Sequence, residues 1–339
     1  MVGRCRTDGH AKDRCSVTRV AVLGHSALNI APAVAADLVL QGHDVAWWPA
    51  PPAVRETGVL HVVASDAPAG GQAVTLRAPP RAEDAVDGAE AIVVDVPADC
   101  VLSFMSQLAP ALPRAAVVHL QSHGYWPASR VAAQPWAAQQ VWADSSAPTH
   151  AASFDGHSVC IQVRRRGLRF SSHRGHALPL LNSLYGSAQA ADCPLETGLE
   201  GINLMVHPGA TLANLAALDA AAAAGRGFSF YEHGNTESAE RLALTLDAER
   251  GAVCRAHGVR HRTLVQTLQS LYGAQGTTPR QAIADCPFYR QLGELPARAP
   301  AQWARIDLPY ALIPVVRLAR ARGLAVPVHE GVIAVLAAA

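Results

Sequence analysis

Apolar residues fall in two rhythms along the chain. In the first half they form short, mostly apolar runs at 17–23, 44–48, 91–96 and 115–120, each closed by Gly, Pro or polar residues. Such runs suit strands buried on both faces. Between them, 32–40, 81–88 and 101–111 read as helices, with Pro32 placed for a first helical turn and Gly42-His43 for a stop. Strand, turn, helix and strand within about 30 residues is the size of a βαβ unit. Residues 73–77 read as another strand, 65–70 as loop, and 159–163 with 168–171 as a later hairpin. The alternation predicts an α/β domain with a mainly parallel sheet, ending near Gly186.

Beyond Gly186 the strand rhythm stops. Segments 211–224, 236–257, 262–272, 310–322 and 328–338 are all helix-like, separated by Gly- and Pro-rich punctuation. The expected organisation is an extension at 1–16, an α/β domain at 17–186 and an all-α domain at 187–339.

One stretch stands just past the change of rhythm: Asn203-Leu204-Met205-Val206-His207-Pro208-Gly209. If the segment is helical as far as Pro208, Asn203 and His207 share a face, and Pro208-Gly209 stops or kinks the helix beside the imidazole. Most isolated histidines are buried groups satisfied by a neighbour. This one sits where a ligand at the sheet's carboxyl edge meets the second domain, and a histidine exchanges protons near neutral pH.

Composition narrows the classes. The 339 residues exceed one ordinary core, and half apolar with 16% charged argues against disorder. A formal net charge of +1 offers nothing to a nucleic acid or an acidic membrane. No run is clean enough to span a bilayer, and the first sixteen residues lack the apolar core of a signal peptide. The seven cysteines are scattered without C-x-x-C, which suits free thiols and a cytoplasmic setting. Lys12 is the one lysine, so lysine catalysis in the folded body is excluded. Cys254-x-x-His257-x-x-x-His261 has ligand-like spacing but no fourth ligand nearby, so no metal is expected. Arg164-Arg165-Arg166 reads as a solvated strand end, and Glu249-Arg250 as an intrahelical or interdomain ion pair.

The first strand leads into Gly24-His25-Ser26-Ala27-Leu28-Asn29. A dinucleotide turn needs glycines for tightness and for close approach to a pyrophosphate at the helix N-terminus. Only the first glycine of G-x-G-x-x-G is present; Ser26 and Asn29 stand in the other two places. After the second strand, Trp47-Trp48-Pro49 offers no Asp or Glu for a ribose hydroxyl and no Arg for a 2′-phosphate, which leaves NAD against NADP undecided. His25, His123 and Pro97 lie at strand carboxyl ends, on the cofactor side of the expected cleft.

From residue 17 onward the chain resembles the octopine/nopaline (opine) dehydrogenase family. The resemblance is carried in the first half by Gly42-His43-Asp44-Val45, Ala85-Val86-Asp87-Gly88-Ala89 and Pro97-Ala98. In the second half it is carried by Asn203-x-x-x-His207-Pro208, Phe230-Tyr231-Glu232-His233-Gly234, Leu271-Tyr272-Gly273 and Asp307-Leu308-Pro309-Tyr310-Ala311-Leu312-Ile313-Pro314. It implies a Rossmann domain followed by a helical domain of the 6-phosphogluconate-dehydrogenase C-terminal type. The implied activity is NAD(P)H-dependent condensation of a 2-oxo acid with an amino-acid or other amine to a secondary amine. By position His207 corresponds to the family's catalytic histidine and Asp307 to its partner, with Asn203 a polar positioner. There are departures. Gln302 stands where relatives have an arginine, so Arg305 becomes the expected carboxylate anchor, with Tyr310 beside it on the substrate side. Gln121-Ser122-His123-Gly124 replaces Asn-Pro-Gly. Two other readings stay open: a reductase of a preformed imine or a hydroxy/oxo acid, and a non-catalytic binding protein. A homodimer is an expectation from the apolar helical half.

Overall fold

The computed structural model describes residues 17–24, 29–64, 71–121 and 126–338. The expected extension at 1–16 and the 65–70 loop lie outside them. Eleven strands are named in chain order: β1 (Arg19–Gly24), β2 (Asp44–Trp48), β3 (Val59–Ala64), β4 (Gln72–Thr75), β5 (Ala91–Asp95), β6 (Val117–Leu120), β7 (Val141–Ser145), β8 (His150–Phe154), β9 (Ser158–Arg164), β10 (Arg169–His173) and β11 (Gln189–Ala190).

The main sheet runs β11-β10-β7-β6-β5-β1-β2. From β2 across to β7 every pairing is parallel, while β10 runs antiparallel to β7. In central β1, Val20 and Val22 enter one apolar cluster and Ala21 and Leu23 another, so both faces are covered. The helix Ile30–Leu40 follows β1, and its nine consecutive buried residues leave almost none of its surface to solvent.

The sequence pattern does not disclose β3, whose residues alternate between buried and exposed. It belongs to a second sheet, β4-β3-β9-β8. The expected hairpin is therefore wrong: β9 pairs with β3 and β8, whereas β10 lies in the main sheet. The chain between them crosses from sheet to sheet, held by Arg165, which donates to the carbonyls of Pro148 and His150 and to the Tyr272 hydroxyl. Nor is the basic triplet a solvated strand end, because Arg164 pairs with Asp37 at 2.8 Å. The main sheet also extends past Gly186, through β11.

The second half is helical and packs around the long helix Glu237–Ala256, whose Thr236 cap accepts from the Ala239 amide. The expected 211–224 helix is two, Val206–Ala213 and Leu215–Ala223, broken at Asn214. Asn214 donates from Nδ2 to the carbonyls of Ala210 and Gly234 and so holds the break. A two-stranded ribbon, Gly227–Phe228 with Leu295–Pro296, interrupts the otherwise all-helical region. Glu249 and Arg250 do not pair with each other. Glu249 accepts from the amides of Val328 and His329 at the start of the last helix, and buried Arg250 pairs with Asp247.

Charges cross between the halves. Arg169 of β10 reaches Glu196 and Glu200, and Arg262 reaches Glu200 from the helical side. Buried pairs of this kind add little net stability. No helix among the described residues is long and apolar enough to cross a membrane.

Candidate active site

Pro208 begins a helix; it does not stop one. His207 and Pro208 lie in the first turn of Val206–Ala213, where proline's missing amide costs nothing. Asn203 belongs to a separate 3-10 turn, Ile202–Leu204, so the expected single helical face does not exist. Gly209 serves packing: a Cβ there would lie 3.2 Å from the Ala239 carbonyl oxygen and the Ala243 amide. The His207 helix thus presses directly on Glu237–Ala256.

Asp307 ends the helix Ala299–Asp307, and a π-helical turn, Leu308–Leu312, follows before Ile313–Arg320. Pro314 explains the wide turn, since its ring would clash with the carbonyl of residue 310 in a regular α-helix. This brings Asp307 to His207, 3.0 Å from Nδ1. With Asp307 ionised, Nδ1–H donates to Oδ2, which leaves Nε2 as the nitrogen for proton exchange. Nε2 lies 3.1 Å from the Tyr231 hydroxyl. Trp303, one helical turn before Asp307, stacks on the imidazole with centroids 4.4 Å apart. Burial, then Tyr272 and Asp307, push the Tyr231 phenol well above its ordinary range and keep it protonated.

A cleft opens beside this cluster, its wall including Asn203, Asp307, Ala311, Thr197, Trp126 and Asp144. It lies between the strand carboxyl ends and the helical half, where α/β folds bind ligands. Burial pushes Asp144 up to about 6, against the pull of the Ser171 and Thr197 hydroxyls and the Ala128 amide.

The substrate-side expectations fare differently. Arg305 and Gln302 are both exposed. At about 100° per residue, Arg305 lies roughly 200° round the helix from Asp307 and Gln302 roughly 140°. Neither converges on His207, which corrects the expected carboxylate anchor. Tyr310 is half-buried with the Arg130 guanidinium 4.8 Å above its ring.

On the cofactor side, Gly24 has φ +98°, and a Cβ there would sit 2.3 Å from the Asp95 carbonyl oxygen, so the turn can begin only with glycine. Asn29, left-handed at φ 53°, leads into the first helix. The Ala31 amide in that helix's first turn donates to Asp95 Oδ2 at 2.8 Å. Pro97 is exposed just past β5. His25, Ser26, Ala27, Leu28 and His123 lie outside the described residues. Gly24 and the helix start fit a dinucleotide turn; the Asp95 carboxylate takes one first-turn amide for itself. His257 and His261 do not converge, since His257 bonds the Leu318 carbonyl and His261 bonds Asp247.

Sequence reasoning missed four residues here. Tyr231 lay in a quoted motif without a role, and Trp303 is one turn from Asp307. Asp95 and Asp144 are single carboxylates in apolar strand runs, a pattern that can flag a buried functional group.

A two-domain architecture of this kind, with an Asp–His pair beside the interdomain cleft, defines a Rossmann-type protein with a helical second domain. Residues 190–339 match the model of the NAD/NADP octopine/nopaline dehydrogenase alpha-helical domain. Over this helical segment, less than half of its length, the chain is similar to the opine dehydrogenase family. An opine dehydrogenase of Arthrobacter sp. (strain 1C) is 28% identical over 159 residues, 47% of this chain and 43% of that relative's length. The match thus spans less than half of that curated relative. Among solved structures, octopine dehydrogenase in complex with NADH and agmatine superposes with a TM-score of 0.73 at 18% identity, covering 94% of this chain and 88% of that one. Yersinopine dehydrogenase with NADP+ bound gives 0.69 at 15% identity, covering 94% and 89%. At such identities the superpositions show the fold alone.

Proposed function

We propose that the protein is an NAD(P)H-dependent, opine-dehydrogenase-like reductase that condenses a 2-oxo acid with an amine to a secondary amine. The observation that carries this reading is the Asp307–His207 pair, with Asp307 and Asn203 in the cleft wall. A reduced nicotinamide, when bound, supplies hydride. Gly24, His25, Ser26, Ala27, Leu28 and Asn29 would hold its pyrophosphate, with Pro97 and His123 beside the nicotinamide. That relatives were solved with NADH and with NADP+ supports the cofactor class without choosing between the two.

The protein's own task is proton management. As oxo acid and amine join, the carbonyl oxygen leaves as water; hydride then adds to the imine carbon and a proton to its nitrogen. His207 Nε2 is the group to deliver that proton, and Asp307 fixes the tautomer and stabilises the imidazolium. Asn203 orients the substrate from the cleft wall. The substrate carboxylate needs an anchor other than Arg305 or Gln302.

One observation favours a second reading, a binding protein without catalysis: Asp95 places a carboxylate on the helix start where a pyrophosphate would compete. Calorimetric titration of NADH and NADPH into the wild type and Ser26→Arg decides between them. Micromolar binding that Ser26→Arg abolishes supports the reductase, and no binding of either nucleotide overturns it.

A further inference from the structure

Asp307 accounts for one ring nitrogen of His207, and the structure assigns a partner to the other. We propose that Tyr231 is the positioning residue for Nε2, holding the proton-exchanging nitrogen in register whether or not it carries a proton. The proposal rests on the reading of His207 as the proton donor.

The Tyr231 hydroxyl stands 3.1 Å from Nε2. Its ring is fixed edge-on against Phe230 at 5.2 Å and tilted against Tyr289 at 4.4 Å, so the phenol has little room to swing. Trp303 covers a face of the imidazole at an interplanar angle of 22°, and Phe230 meets both rings edge-on. The imidazole is therefore held by Asp307 at one nitrogen, by Tyr231 at the other and by Trp303 on a face.

A hydroxyl is suited to this place by its chemistry. It donates to a bare Nε2 and, by rotating about its C–O bond, accepts from Nε2–H. Substrate must take the hydroxyl's place at the single in-plane site of Nε2 while the proton moves. Once product has left, the hydroxyl returns as donor to a bare Nε2 or as acceptor from Nε2–H, so the ring need not reorient between turnovers. A carbonyl could serve only the protonated ring, and an ammonium only the neutral one. The Tyr231 hydroxyl meets His207 Nε2, so its effect runs through His207.

Tyr231→Phe removes one oxygen and leaves the aromatic packing in place. The expected result is a roughly tenfold fall in kcat, the worth of one hydrogen bond of about 1.4 kcal/mol, with nicotinamide affinity unchanged. The second readout is the ¹⁵N NMR spectrum of the histidine rings in the substrate-free protein, with His207 assigned by His207→Gln. There the Nε2 resonance is expected to move in Tyr231→Phe while Nδ1, still on Asp307, stays close to its wild-type position. An unmoved Nε2 resonance overturns the proposal whatever the rate does, because a rate loss would then come from general disturbance of the fold. A moved resonance with unchanged kcat overturns it as well, since the contact would exist without consequence. The spectra need no turnover, so loss of the Tyr231 contact and failure of the reductase reading are recorded separately.

Discussion

Asp307→Asn isolates the charge beside His207 from the shape of the site. In the wild type, Nδ1 and Oδ2 are 3.0 Å apart and the Asp307 side chain is only 9% exposed, so solvent screens the pair weakly. A hydrogen bond to a charged group contributes about 1.5–3 kcal/mol and a neutral one about 0.5–1.5. If the new amide presents its oxygen to Nδ1–H, the geometry survives and the imidazolium loses about 1–2 kcal/mol, a roughly five- to thirtyfold fall in kcat. If the amide presents its nitrogen, Nδ1 must become the acceptor and the proton moves to Nε2. That tautomer cannot act as the base in the reverse reaction, and such exchanges in catalytic triads cost about 10⁴-fold. Steady-state reduction of the oxidised nicotinamide by the secondary-amine product, the direction in which His207 is the base, places the variant between these bounds when cofactor affinity is measured separately. A kcat within about twofold of wild type would refute the role assigned to the pair.

Two further perturbations test the scaffold. Gly24→Ala combines an unfavourable positive φ, about 1 kcal/mol or more, with overlap against the β5 backbone, so urea unfolding is expected to show a loss of about 2–4 kcal/mol. Gly42→Ala, with φ +91° and nothing within 4 Å of its Cβ, serves as the control and loses only the conformational part; equal losses would contradict the close approach at Gly24. Asp247 gives an acid-dependent stability. Burial alone would raise it, but the His261 bond, the Arg250 charge and the Leu264 amide outweigh burial and hold it down at about 2. Because the folded value lies below the unfolded 3.8, the stabilisation, about 2 kcal/mol, is complete above that value and lost as pH falls toward 2. Asp247→Asn is therefore expected to cost most near neutrality and to converge with wild type toward about pH 2; a pH-independent difference would contradict this.

The sheet was readable where burial is two-sided. β1, β2, β5 and β6 write mostly apolar runs because both faces of the sheet are covered, and the 44–48 run matches β2 at both ends. β3 escaped because one of its faces is exposed and its alternating Val-Leu-His-Val-Val-Ala breaks that rhythm. The false hairpin has a non-local cause: contacts of Arg165 with Pro148, His150 and Tyr272 send two neighbouring strands into different sheets. Pro208 shows how local signals mislead, since proline marks a helix start as readily as a stop, and only its downstream neighbours decide which. His207 and Asp307 stand a hundred positions apart, and no periodicity connects them. Only family resemblance placed them together, and it carried no role for Tyr231 or Trp303. It also led to Arg305, whose place on the far side of its helix is set by its spacing from Asp307.

The proposed reaction needs both an oxo acid and an amine before hydride moves. The most direct measurement is NADH or NADPH oxidation by the wild-type protein with a panel of 2-oxo acids alone, amines alone and the two combined, with products identified by mass spectrometry. Oxidation is expected only in the combined mixtures, with a product mass equal to the two substrates less water plus two hydrogens. Oxidation by an oxo acid without any amine would contradict the reaction, and so would a protein that binds nucleotide yet oxidises it with no pair.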